Sequence, residues 1–199
     1  TVTVFRDGNT IVIQSNGIPN HGSPYFTTTC FEADNQAGFA KNPSSISTQN
    51  LTFRIPVSPA EAATKSATPL GPMGVALNGV PFFNQYAAGR SPLTSEIVSF
   101  DQYGGHPQQQ GMYHYHVEPK ALTASDGQDG LLGFLLDGFP VYGPKENGAT
   151  VAESALDIYH GHFAVTVDYP NGIYHYHVTS ADPYINGNGF YGTAGTVSQ

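Results

Sequence analysis

The chain has no tryptophan, one cysteine and only seven Lys plus Arg in 199 residues. Each shortage excludes something. With Cys30 alone, neither an internal disulfide nor a cysteine-built zinc site can form. The residue reads as a small buried side chain. The net charge of -8 argues against a nucleic-acid groove or an anionic membrane surface as partner. No apolar run approaches the ~20 residues of a membrane span. The longest, Leu131 to Leu136, has the length of a buried strand.

Charged residues make up 11% of the chain, less than half of the usual ~25%. The surface must therefore be built largely from Asn, Gln, Ser, Thr and Gly. A Lys-poor surface of that kind points to a secreted or periplasmic protein. The chain opens on Thr1 rather than Met, which fits leader removal and trimming equally well. The length suits a single domain over residues 1–199.

What the chain does have is punctuation. Its 23 Gly and 15 Pro argue against long helices. Val2–Phe5, Asp7-Gly8 and Thr10–Ile13 read as a hairpin. Leu51–Ile55 and Phe163–Val167 alternate as strands. Ser58-Pro59-Ala60-Glu61 has the form of a capping box and predicts a short helix to about Ala67, with a weaker start at Thr150–Glu153.

Three blocks occur twice in the same order. Gly74-Val75-Ala76-Leu77-Asn78-Gly79-Val80-Pro81-Phe82-Phe83 corresponds to Gly133-Phe134-Leu135-Leu136-Asp137-Gly138-Phe139-Pro140-Val141-Tyr142. Asp101–His106 corresponds to Asp157–His162, and GMYHYHV at 111–117 to GIYHYHV at 172–178. A partial third copy of the first block, Asn16-Gly17-Ile18-Pro19, ends at His21. These repeats predict two β-rich units, about 70–117 and 130–178, in a mainly β domain of approximate two-fold symmetry with one or two short helices.

Tyr-His-Tyr-His-Val is a strand sequence, and strand side chains alternate between faces. Tyr113, Tyr115 and Val117 share the core face, leaving His114, His116 and Glu118 on the other. Tyr174, Tyr176 and Val178 likewise oppose His175 and His177. Two imidazoles at i and i+2 can hold one metal ion with a further ligand from elsewhere. Six of the eight histidines fall at matching positions: His106, His114 and His116, and His162, His175 and His177. Two geometries are open. His114, His116, His175 and His177 could surround one ion near the pseudo-dyad. Alternatively, each unit could build its own three-histidine site, with the pair either close and coupled or far apart. Asp101, Asp157 and Asp137 are candidates to orient the imidazoles. Asp137 and its counterpart Asn78 also read as turn residues. Glu118 is a candidate ligand or general base. His21 and His160 stand outside the pattern.

These residues resemble the YHYH domain family of mostly exported bacterial proteins. The likeness rests on Asn16–His21, Leu136–Gly143, Leu156-Asp157 with Gly161-His162, Gly172–His177, Pro183-Tyr184 with Gly187, and Gly189–Gly192. It implies an exported location and gives weight to the histidine block, but names no reaction. Members often carry cysteines near the Leu-Asp and Gly-rich blocks; Ile158 and Asn188 or Phe190 stand there in this chain.

Imidazole ligation suits copper or zinc rather than calcium or magnesium. Three functions follow. The first is a copper-dependent oxidoreductase acting on a small molecule or extracellular polymer, with the tyrosines as possible redox groups. It stands ahead of a zinc-dependent hydrolase or lyase, because the oxygen-rich ligands of a zinc hydrolase site are not obvious here. The second is a non-catalytic metal carrier. The third is a carbohydrate-binding β-module, which the absence of tryptophan disfavours.

Overall fold

The computed structural model describes all 199 residues. The chain is mainly β. Strands β1 (Val2–Asp7) and β2 (Thr10–Ser15) form the expected hairpin, joined by β3 (Leu51–Pro56) and later by β14 (Thr196–Ser198) in a four-stranded sheet. Glycine at position 8 permits the tight turn, with φ at 60°.

The second sheet has eight strands: β4 (Gly74–Ala76), β5 (Pro81–Phe82), β6 (Gly105–Pro107), β7 (Tyr113–Tyr115), β8 (Leu131–Leu135), β9 (Pro140–Tyr142), β12 (Gly161–Ala164) and β13 (Ile173–His177). A separate ribbon pairs β10 (Lys145–Glu146) with β11 (Ala149–Thr150). The sheet order is β12-β13-β9-β8-β4-β5-β7-β6. Strands from matching sequence blocks therefore take matching places on either side of the β4–β8 pair. The pairing at that centre is reciprocal. Gly74 faces Leu135, Val75 faces Phe134 and Ala76 faces Gly133, so the two outer pairs map onto each other under the repeat and Val75 meets its own counterpart.

One cluster of 23 buried residues joins the sheets, so the two sequence units share a core. Leu51, Phe53 and Ile55 come from β3, and Phe82, Leu132, Leu135 and Val141 from the large sheet. Tyr113, Tyr115, Tyr174 and Tyr176 belong to this cluster, which puts the tyrosine face of both heptapeptides inward.

Three local expectations fail. Residues 58–67 are not helical. Their backbone bonds to the C-terminal segment instead, with Ala62 N–H donating to Tyr191 at 3.0 Å and Thr68 N–H to Asn188 at 3.1 Å. Tertiary pairing outweighs a local capping signal there. The α-helix is α1 (Lys120–Asp126), and the Thr150–Glu153 start yields only a 3₁₀ turn at Glu153–Ala155. Cys30 is exposed. No helix is long and apolar enough to cross a membrane.

Candidate metal centres

Each heptapeptide begins at a glycine with positive φ, 80° at Gly111 and 81° at Gly172, which turns the chain into the strand. The strand then pairs antiparallel with the segment carrying the Gly-His motif. His106 lies directly opposite His114, and His162 directly opposite His175. The glycine before each of these histidines has a steric reason. A Cβ on Gly105 would sit 2.5 Å from the Tyr113 ring, and one on Gly161 2.5 Å from the Tyr174 hydroxyl.

The result is two clusters, one per unit. In the first, His106, His114 and His116 are all buried. The Nε2 atoms of His114 and His116 are 2.9 Å apart. In the second, the Nε2 atoms of His162, His175 and His177 form a triangle with sides of 3.2, 3.2 and 3.1 Å. Tetrahedral ligands about 2.05 Å from an ion stand about 3.3 Å apart, so this triangle has the size of one face of a zinc site.

Hydrogen bonds on the far side of five of the six rings, all but His162, fix their tautomers. Nδ1 of His114 donates to Met112 O at 3.0 Å, His175 to Ile173 O at 3.0 Å and His177 to Gly143 O at 2.8 Å. His116 donates to Asn84 O. A carbonyl can only accept, so each Nδ1 carries the hydrogen and each Nε2 presents a lone pair. The Ser99 hydroxyl donates to Glu96 O, which leaves its oxygen to accept from His106 Nδ1 at 2.7 Å. At the His114–His116 and His175–His177 pairs, lone pairs converge without a hydrogen between them. Protonation does not resolve this at neutral pH. Burial pushes His106 down to about 3 and His116 and His177 to about 4, and holds His114 and His175 below the ordinary imidazole range. Either buried group can therefore bind a metal ion.

The second centre has a carboxylate that the sequence did not single out. Glu146 Oε1 lies 3.4 Å from both His162 Nε2 and His175 Nε2. It is buried and has no hydrogen-bond partner. Glu146 comes from the β10–β11 ribbon, outside the repeated blocks, and only the fold reveals its place. At the first centre, the nearby carboxylate is Glu96, at 3.8 Å from His106 Nε2 alone. Phe83 stacks on His114 at 4.0 Å and Phe100 on His116 at 5.5 Å.

The four YHYH histidines do not surround one ion. β7 and β13 lie five strand positions apart, roughly 24 Å along the sheet at about 4.8 Å per strand. The geometry is one three-histidine cluster per unit, far apart.

The aspartates do not orient the imidazoles as expected. Asp101 Oδ1 accepts from Tyr113 at 2.8 Å, Asp157 Oδ1 from Tyr174 at 2.9 Å and Asp137 Oδ2 from Tyr176 at 2.6 Å. They lie on the tyrosine face, and backbone carbonyls take the role assigned to them. Asn78, the counterpart of Asp137, donates to Tyr115 OH at 3.1 Å. Glu118 is also away from the histidines, its Oε1 accepting from Thr123 Oγ1 at 2.6 Å beside α1. His21 Nε2 is 2.9 Å from Tyr115 OH, and His160 Nε2 is 3.1 Å from Glu153 Oε2, so neither joins a cluster.

The family model described as "YHYH protein" matches residues 52–155 and 145–190. The chain belongs to this family. No curated protein and no solved structure matches it.

Proposed function

We propose that this YHYH protein is an exported metalloprotein with two separate mononuclear centres and a metal-dependent enzymatic activity at the first. The observation that carries the reading is the convergence of unprotonated Nε2 lone pairs of His114 with His116 and of His175 with His177, each of these four rings held in that tautomer by an acceptor on its far side. Lone pairs converging in a buried cluster repel one another, and a cation between them removes that repulsion.

Zinc fits best as the resident ion, by the dimensions of the second centre, and the same ion at the first centre would give hydrolase or lyase chemistry. The facial triangle of nitrogens has tetrahedral dimensions. Glu146 also supplies the oxygen donor whose apparent absence favoured copper. A bound zinc ion supplies Lewis-acid polarisation of an ester, amide or carbonyl. The chain's own residues keep the imidazoles in their ligating form, and Phe83 and Phe100 shield them from water. Copper-dependent oxidation is the second reading, favoured by the imidazole-only first cluster. Its redox tyrosines lose support, because the YHYH phenols point to the opposite face and bind Asp101, Asp157 and Asp137.

The test is elemental analysis of tag-free protein, followed by zinc–copper competition. Two ions per chain with zinc retained against equimolar copper supports the reading. Copper at both centres, with oxygen consumed on a substrate screen, favours oxidation. Absence of metal uptake overturns both.

A further inference from the structure

The offset that matches Phe83 to Tyr142 continues for several residues. It pairs Asn84 with Gly143, and the carbonyls of these two residues accept from the paired histidines His116 and His177. Three residues further on, it pairs Ala87 with Glu146. Where the second unit sends a carboxylate to its histidines, the first has a methyl group.

The consequence is visible around the first cluster. His106, His114 and His116 form part of the wall of a cavity of about 680 Å³, and Ala87 lines the same space. Glu96 lines it too, but reaches only one of the three nitrogens, at 3.8 Å. Glu146, by contrast, stands 3.4 Å from two of its three nitrogens. The remaining wall near the histidines is apolar at Phe83 and Met112, and carries amides at Asn42, Gln108 and Gln110. No Lys or Arg lines the cavity.

We infer that the two centres have different work. The second is closed by Glu146 and is structural, whereas the first keeps a coordination position open to the cavity and takes small, neutral molecules bearing a nitrogen or oxygen donor. This rests on both clusters holding an ion. Three protein ligands leave a position for an exogenous donor, and four do not. Beyond the ion itself the wall carries one carboxylate and no Lys or Arg, so an anionic substituent held away from the ion finds no protein partner there.

The test uses the full chain loaded with two equivalents of cobalt(II), whose visible spectrum reports coordination. Isonicotinamide and isonicotinate are titrated in as probes; they share a ring nitrogen donor and differ in one charge. The expected result is one isonicotinamide per chain, with isonicotinate about fivefold or more weaker. Ala87→Glu abolishes the response, and Glu146→Ala creates a second one. Glu146→Ala also covers the case in which Ala87→Glu fails to fold. Two bound cobalt ions with neither or both responding in the unaltered protein overturns the division of work, and leaves the metal reading standing. Isonicotinate binding as tightly as isonicotinamide overturns the neutral class. Failure to bind cobalt overturns the metal reading, and this inference with it.

Discussion

Gly143 O accepts the Nδ1 hydrogen of His177 at 2.8 Å, and Asn84 O does the same for His116. A backbone carbonyl therefore sets the tautomer of the last histidine in each heptapeptide. These two histidines belong to clusters that share no ligand. His116→Ala is expected to lower bound metal from two ions to one per chain, and His177→Ala to do the same independently. The double variant binds none. Unchanged metal content in both single variants would remove the metal reading.

Separation along the sheet has a spectroscopic consequence. Two copper ions about 4 Å apart can couple and fall silent in EPR, but ions held five strands apart cannot. The protein loaded with two equivalents of copper(II) is expected to show the full signal of two independent ions by double integration. A signal well below one copper per chain would place the histidines of both units at one centre.

The site's ligands were legible in the sequence because a strand has period two and the blocks recur. Those facts pick out His106, His114 and His116 and the matching His162, His175 and His177, while the choice between one four-histidine site and two three-histidine sites needed the strand order. The supporting residues were less legible. Asp101 and Asp157 keep constant places relative to both the tyrosines and the histidines, and only the strand face decides which of them they bind. Glu146 was hidden because its neighbours in the repeat diverge, and its β10–β11 ribbon has no counterpart strands in the first unit. The helix expected after Ser58 failed for a similar reason, since its backbone partners lie 120 or more residues away.

If Asp137 serves the tyrosine rather than the imidazoles, its loss should cost stability and spare the metal. It is fully buried, accepting from Tyr176 and from Gly192 N–H at 2.9 Å. Asp137→Ala strands these two donors and the Phe139 N–H, 3.3 Å from Oδ1, and is expected to cost about 3 kcal/mol or more in urea unfolding. Asp137→Asn keeps an acceptor and costs less. Both should retain two ions per chain. A folded Asp137→Ala that lost one ion would return the residue to the metal site. Glu118→Gln is the companion control, expected to change neither metal content nor activity.

Acid should unfold the metal-free protein early. His106, His116 and His177 are held at about 3, 4 and 4 by burial, whereas in the unfolded chain they titrate near 6.5. Between those values the unfolded state binds more protons, so stability rises with pH and falls on acidification. Three such groups cost about 4 kcal/mol for each pH unit below 6.5. A domain with about 5–10 kcal/mol of stability is then expected to unfold with a midpoint between about pH 4 and 5. Excess zinc should lower that midpoint, since it binds the folded state through the same Nε2 lone pairs that protons would occupy. Circular dichroism followed against pH, with and without zinc, measures both. A metal-free protein whose unfolding free energy stayed flat from pH 7 to 4 would show that the imidazoles are not buried as neutral rings.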